Sequence, residues 1–266
     1  MSQENVEVMR RGTVLVNAGD WDALFELYHP DVEFRDLQHV PDMPEMLRGL
    51  DAIRLVVANW TEVYDEFGAE VYEYVDAHPW VICDTRWHGK AKGSHVPIDI
   101  HVADAYEIKD GKIVRAIMSY PDVTAALEAV QRAEYQRSQE NMEIVRRAIA
   151  AVNARDLDAY LACCTADVEL RTPLAGGVYE GPQGIKRFLG DIEDAAPDFR
   201  IDLQGLEAIG PDRVLALIRA GSTGRASGIP LAADTANVYD LIDGKINRIR
   251  IFLDRREALK AVGLPE

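Results

Sequence analysis

The sequence predicts an α+β protein made of two copies of one domain. Residues Ser2–Arg35 are repeated as Ser138–Arg171, with half of the positions identical and an offset of 136 residues. A second pair of matching stretches, Tyr106–Ile113 and Tyr239–Ile246, each ends in Asp-Gly-Lys-Ile. A repeat period this long is typical of domain duplication rather than of a solenoid.

Each copy begins with helical patterns and continues with strands, an order that predicts helices packed on one face of a largely antiparallel sheet. The repeat divides the chain into a first domain over 1–135 and a second over 136–266, each of a common domain size. In the first copy, helical spacing of apolar residues follows Ser2, and Asp20 can cap a short second helix. The later elements predicted there are a strand over Val32–Asp36, a helix over Asp51–Asp65 and strands over Ala69–Val75, Trp80–Trp87, Val96–Ile108 and Lys112–Tyr120.

The second copy repeats this order. Asn153-Ala154-Arg155-Asp156 ends its first helix as Asn17-Ala18-Gly19-Asp20 does in the first copy. Residues from Val123 to Gln136 have a helical pattern and contain no Gly/Ser tract, so we expect no flexible linker between the copies. The strands predicted in this copy are Val168–Thr172, Asp202–Ala208, Val214–Arg219, Leu231–Leu241 and Lys245–Leu253.

Composition limits the classes of partner. The net charge of −16 argues against nucleic acid or an anionic membrane. No apolar run approaches the roughly 20 residues of a membrane span, and the polar N-terminus does not read as a signal peptide. The three cysteines, Cys83, Cys163 and Cys164, lack metal or disulfide spacing, so we expect a cytoplasmic protein.

Several motifs shared by both copies resemble the SnoaL-like branch of the NTF2-like superfamily. They are Asn-Ala-x-Asp at the end of the first helix, Asp-Val-Glu at the first strand, a glycine before the third helix, and Asp-Gly-Lys-Ile before the last strand. The resemblance implies that each copy is a cone, in which three helices close a curved, mixed but mostly antiparallel sheet over an apolar cavity. It also implies that the two cones pair through their sheets as a pseudo-dimer, and it leaves further homo-oligomerisation open.

Two aspartates of the first copy each end an apolar stripe on a predicted strand. Alternate residues of a strand share a face, which places Asp36 beside Phe34, and Asp104 between Val102 and Tyr106. A carboxylate on a core-facing stripe is costly unless it is hydrogen-bonded or protonated, and its pKa tends to rise. Such groups are candidates for functional sites. Their counterparts in the second copy are Thr172 and Asn237.

The ketosteroid isomerase branch of the superfamily suggests roles for this pair. Asp36 falls at the position of the general base of that branch, and Asp104 at the position of its oxyanion-stabilising aspartic acid. The oxyanion tyrosine of that branch corresponds to Gly12, which departs from the pattern and argues against steroid isomerisation. Tyr28, Tyr106 and Tyr120 are the alternative hydroxyl donors. The resemblance therefore implies proton abstraction next to a carbonyl without a cofactor, as in an isomerase, cyclase or dehydratase. A structural role for both carboxylates stays open.

The first copy is predicted to hold the working cavity. It contains both aspartates, all six histidines and all four tryptophans. The expected ligand is a small, mainly apolar organic molecule, and the second copy is a structural partner or a modified binding site. The residues predicted to contact the ligand are Tyr28, Phe34, Trp60, Trp87, Ile100, Val102, Tyr106 and Tyr120.

Two other functions remain open from the sequence. One is a non-catalytic ligand-binding or assembly module. The other is an epoxide or ester hydrolase that depends on Asp84, Arg86 and Asp104, although Asp84 and Arg86 are better explained as a structural ion pair. His95 and His101 lie on the strand face opposite the apolar stripe without metal-binding spacing, so we expect no metal.

Overall fold

The protein folds as two compact units, Met1–Arg132 and Ala133–Glu266. We refer to them as the N-terminal cone and the C-terminal cone. The computed structural model describes residues 2–38, 46–173, 177–223 and 230–264. None of the helices in this described part is long and apolar enough to cross a membrane.

The N-terminal cone contains one six-stranded sheet in the order β2-β1-β6-β5-β4-β3. Strands β1 and β6 pair in parallel, whereas the other neighbouring strands pair antiparallel. The sheet is therefore mixed and mostly antiparallel, as predicted. The elements are α1 (Ser2–Ala18), α2 (Trp21–Phe25), β1 (Tyr28–Asp36), β2 (Leu47–Arg48), α3 (Leu50–Val63), β3 (Tyr64–Ala77), β4 (Trp80–Ala91), β5 (Pro97–Lys109) and β6 (Lys112–Tyr120).

The C-terminal cone repeats this topology, with the strand order β8-β7-β12-β11-β10-β9. Two tandem α+β domains with this sheet confirm the predicted fold class, while the pairing of the cones stays a prediction. Helix α4 (Val123–Ala154) begins in the first unit and ends in the second. The other elements are α5 (Leu157–Ala162), β7 (Cys164–Thr172), β8 (Gly177–Glu180), α6 (Gly181–Ala195), β9 (Arg200–Ala208), β10 (Arg213–Thr223), β11 (Pro230–Ile242), β12 (Lys245–Phe252) and α7 (Arg255–Ala261).

An asparagine near the end of the first helix of each copy fastens that helix to the sheet. Asn17 Nδ2 donates to the carbonyl of Ala69, and the backbone N–H of Ala69 donates to Asn17 Oδ1, both at 2.8 Å. Asn153 makes the same two bonds with Ile201, also at 2.8 Å. The paired bonds satisfy both backbone groups of one residue of β3 or β9, and they fix where the helix lies along the sheet.

The residues after each asparagine end one helix and begin the next. Gly19 and Arg155 occupy the same position and both have left-handed backbones, with φ of 66° and 59°. The following aspartates, Asp20 and Asp156, then accept hydrogen bonds from the backbones of Ala23 and Ala159. Both motifs act as the sequence predicts, as a helix stop followed by a side-chain cap.

A helix of each unit covers the sheet face opposite the cavity. In the N-terminal cone, Ala126 and Val130 of α4 pack against Trp80 and Ile82. In the C-terminal cone, Ala258 and Leu259 of α7 pack against residues of β10 and β11. This face of each sheet is therefore partly buried within its own unit.

We predict that Asn153→Ala lowers the free energy of unfolding of the C-terminal cone by about 2–4 kcal/mol, because two hydrogen bonds are lost and two backbone groups lose their partners. Chemical denaturation followed by circular dichroism measures the change. Asn59→Ala, at an exposed position of α3, serves as the control and should change stability by less than about 0.5 kcal/mol. Equal effects of the two substitutions would contradict the role given to Asn153.

Candidate functional site: two unequal cavities

The N-terminal cone encloses a small cavity of about 60 Å³ between its three helices and the sheet. This is smaller than the roughly 150 Å³ of an engineered protein cavity that holds benzene. Five of the residues predicted to contact a ligand line it: Tyr28, Phe34, Trp60, Trp87 and Tyr106. Of the other three, Val102 is buried, Tyr120 is half-buried at the end of β6, and Ile100 is 40% exposed.

Aromatic rings occupy much of the interior of this cone. Trp87 stacks on Phe67, with centroids 5.4 Å apart and planes 15° apart. Trp60 packs against both rings, at 5.6 Å from Trp87 and 5.2 Å from Phe67. The two indoles therefore take up space that a ligand would otherwise use.

Asp104 is fully buried, and donors within the protein occupy both of its carboxyl oxygens. Trp87 Nε1 donates to Oδ2 at 2.9 Å, and the backbone N–H of Ser119 donates to Oδ1 at 2.9 Å. Burial raises the pKa of Asp104 to about 6; the hydrogen bonds from Ser119 and Trp87 oppose this rise, and the nearby carboxylate of Asp36 adds to it. Asp104 is thus a carboxyl group that keeps its proton to a higher pH than an ordinary aspartic acid does.

Asp36 lies at the end of β1 and is half-buried. Its Oδ1 accepts a hydrogen bond of 3.0 Å from the backbone of Gln38. The fold brings it within electrostatic range of Asp104, as the alternation of the two strands predicts. Their roles as base and oxyanion donor stay predictions.

Two tyrosines of the cavity wall are held neutral. Burial, followed by the charge of Asp104, raises the pKa of Tyr28 and of Tyr106 above the ordinary value of a phenol. The hydroxyl of Tyr106 donates to Met118 Sδ at 3.3 Å.

Asp84 and Arg86 do not form the ion pair predicted for them. Arg86 donates to Asp99 twice at 2.8 Å and to Glu70 at 3.2 Å, while Asp84 bonds to His101 Nε2 at 2.7 Å. Each of the two side chains therefore bonds to residues on the neighbouring strands, and not to the other residue two positions away on β4. In the part of the chain described, no three His, Cys, Asp or Glu side chains cluster as metal ligands.

The C-terminal cone encloses a larger cavity of about 340 Å³, between α4, α5, α6 and the sheet. Most of its wall is apolar, and its buried polar side chains are Thr235, Asn237 and Tyr239 of β11 and Tyr160 of α5. Asn237 is 6% exposed, and its Oδ1 has no hydrogen-bond partner among the described residues. Thr172, the counterpart of Asp36, is buried in the sheet.

Tyr239 is the neutral neighbour of Asn237. Burial raises the pKa of its phenol to about 12, and a hydrogen bond from the side chain of Asn237 opposes this rise. The amide nitrogen of Asn237 therefore bonds to Tyr239, whereas its oxygen, at the cavity wall, has no partner among the residues described.

Two substitutions between the copies explain the difference in volume. Trp87 pairs across the sheet with Ala69, and Ala220 pairs with Ile201, so each lies opposite the residue held by the asparagine bridge. Ala220 therefore takes the place of Trp87. Trp60 lies 11 residues after Gly49 in α3, and Ile192 lies 11 residues after Gly181 in α6. Ile192 therefore takes the place of Trp60.

Sequence reasoning missed Ala220, Ile192 and Phe199 as cavity residues. An alignment of the sequences of β4 and β10 could have shown that Ala220 is equivalent to Trp87. Ala220 has no reactive group, and it matters for the cavity only because its side chain is small.

Residues 10–116 and 145–249 each match the SnoaL-like domain family, so the chain belongs to this family and carries two copies of its domain. This confirms the resemblance noted in the sequence. The search of curated proteins found no match.

Solved structures similar to the chain each span about half of it. A cystatin-fold protein from Novosphingobium aromaticivorans is 26% identical, with a TM-score of 0.38, over 42% of this chain and 97% of its own. An NTF2-like protein from Burkholderia pseudomallei is 21% identical, with a TM-score of 0.40, over 46% of this chain and 95% of its own. A Mycobacterium tuberculosis protein in complex with estradiol-17beta-hemisuccinate is 15% identical, with a TM-score of 0.39, over 44% of this chain and 95% of its own.

The raised pKa of Asp104 predicts how the stability of the N-terminal cone depends on pH. Between the ordinary value of 3.8 and about 6, the folded protein keeps a proton that the unfolded chain releases. Stability therefore falls as pH rises through this window, by about 3 kcal/mol in all, at about 1.4 kcal/mol per pKa unit.

Denaturation at several pH values should show this loss in the wild type, and Asp104→Asn should remove it. Asp110→Asn, at the exposed hairpin between β5 and β6, controls for the loss of one charge. A wild-type stability that rises from pH 4 to pH 6 relative to Asp104→Asn would contradict the assignment.

Proposed function

We propose that the protein binds a small, neutral and largely apolar organic molecule in the C-terminal cone. The observation that carries this proposal is the apolar cavity of about 340 Å³, with an amide oxygen in its wall that has no partner in the described part of the chain. Cavities of this size and lining are typical of small-molecule sites, in which a few polar groups fix the orientation of the ligand.

The charge state of the wall supports a neutral ligand. Burial raises the pKa of Tyr160 and of Tyr239, so both phenols are uncharged at neutral pH. Asp191 is the one lining residue of the described cavity wall with a charged side chain, and it is exposed. A charged group inside the cavity would lose its hydration without gaining a counter-ion.

The binding test uses N-phenyl-1-naphthylamine, a neutral probe that fluoresces in apolar surroundings, with the full-length chain. We predict saturable binding that Ile192→Trp weakens at least about 10-fold, because an added indole fills part of the cavity. Val178→Trp places the same side chain on β8, where Val178 is 50% exposed, and should leave binding unchanged. Unchanged binding in Ile192→Trp would contradict the proposed site.

A second candidate function rests on Asp104 in the N-terminal cone. A buried carboxyl with a pKa of about 6 beside a second carboxylate suits acid–base chemistry on a carbonyl compound, with Asp36 as base and protonated Asp104 as hydrogen-bond donor. Neither carboxyl lines the cavity of about 60 Å³, and the size of this cavity restricts a substrate to a very small ketone. The hydrolase alternative loses support, because Asp84 and Arg86 bind other residues.

This candidate predicts exchange of the α-hydrogens of cyclopentanone in D₂O, observed by proton NMR. Asp36→Asn should slow the exchange by a factor on the order of 10²–10⁴, because the base is lost. Asp110→Asn is again the control and should keep the wild-type rate. Exchange at the same rate in Asp36→Asn and the wild type would rule out Asp36 as the base.

A further inference from the structure

We propose that the ligand of the C-terminal cone is a flat bicyclic aromatic molecule with a ring N–H, which occupies the position that the Trp87 indole occupies in the N-terminal cone. This inference rests on the proposed function and specifies the chemical class of the ligand. The two copies share one fold, so each position in the C-terminal cone can be compared with the equivalent position in the N-terminal cone.

The position of the missing ring follows from the strand register. Trp87 and Ala220 lie opposite Ala69 and Ile201, the residues held by the asparagine bridges. Replacing an indole by a methyl group at this point of the frame leaves a space beside Asn237. The C-terminal cavity includes this space, since Ala220 and Asn237 both line it.

The hydrogen-bond partner of the ligand follows from the same comparison. Asp104 and Asn237 are equivalent, because they pair across the sheet with Cys83 and Ala216, each four residues before Trp87 or Ala220. In the N-terminal cone, Trp87 Nε1 donates to Asp104 at 2.9 Å. In the C-terminal cone, no described side chain donates to Asn237 Oδ1.

A buried acceptor without a donor is unfavourable, and a ligand N–H at the same place would remove that penalty. The acceptor is therefore matched to a donor rather than to a ketone or an ether. The cavity wall beside it is apolar, which matches the remainder of an aromatic ring system.

The stacking surface for the ring is also present. Phe67 lies two residues before Ala69 and stacks on Trp87 at an interplanar angle of 15°. Phe199 lies two residues before Ile201 and lines the larger cavity. The ligand ring would stack on Phe199 as the Trp87 indole stacks on Phe67.

Isothermal titration calorimetry with indole and benzofuran tests the proposal on the full-length chain. The two molecules have nearly the same shape, but benzofuran has a ring oxygen in place of the N–H. We expect indole to bind at least about 5-fold more tightly than benzofuran, the ratio that corresponds to one net hydrogen bond. Equal binding of the two molecules, or tighter binding of benzofuran, would overturn the proposal.

Two substitutions locate the interaction. Ala220→Trp should abolish indole binding, because its own side chain fills the space, whereas Val178→Trp should leave it unchanged. Asn237→Leu should remove the preference for indole over benzofuran, and this second variant keeps the test decisive if Ala220→Trp does not fold. A preference that persists in Asn237→Leu would overturn the role of the amide.

The outcomes also separate this proposal from the proposed function. If indole and benzofuran bind equally and Ile192→Trp weakens both, the cavity binds apolar molecules and only the donor assignment fails. If neither molecule nor N-phenyl-1-naphthylamine binds, the proposed function and this inference both fail.

Discussion

Two hydrogen bonds between an asparagine side chain and the backbone of one strand residue hold the first helix of each copy on its sheet. Asn17 holds Ala69 and Asn153 holds Ile201 with the same geometry. The cavity lies between these two layers, so its wall is built around this contact. The same Asn-Ala-x-Asp motif also ends the helix and caps the next one. Four consecutive residues therefore provide both the local signals for the helix ends and the tertiary contact with the sheet.

Because the frame depends on backbone contacts, its interior can change without altering the fold. Both copies carry a buried polar side chain at the same point of the fifth or eleventh strand, Asp104 or Asn237. In the N-terminal cone an indole supplies the donor and fills the space. In the C-terminal cone alanine leaves the space open, and no residue that the structure describes donates to the acceptor. One copy of the frame therefore has an interior largely filled by aromatic rings, while the other has an open cavity.

The fold could be predicted from the sequence because its signals are local: the repeat, the strand alternation that buries Asp104, and the caps at Asp20 and Asp156. The short strands β2 and β8 were missed, since two and four residues are too few to show an alternation. The open cavity could not be predicted, because it depends on which residues of β4 and β10 lie opposite the bridged residues. The partners of Asp84 and Arg86 depend on the same cross-strand register, which periodicity within one strand does not reveal.

The two copies share a frame, but the C-terminal cone has far more room for a ligand than the N-terminal cone. Diffraction from crystals under xenon pressure tests it most directly, since xenon enters apolar cavities without needing a specific polar contact. We expect high xenon occupancy in the C-terminal cone beside Ala220 and Phe199, and lower occupancy beside Trp87. Equal or higher xenon occupancy in the N-terminal cone, or a C-terminal cone that takes up none, would contradict this difference between the cones.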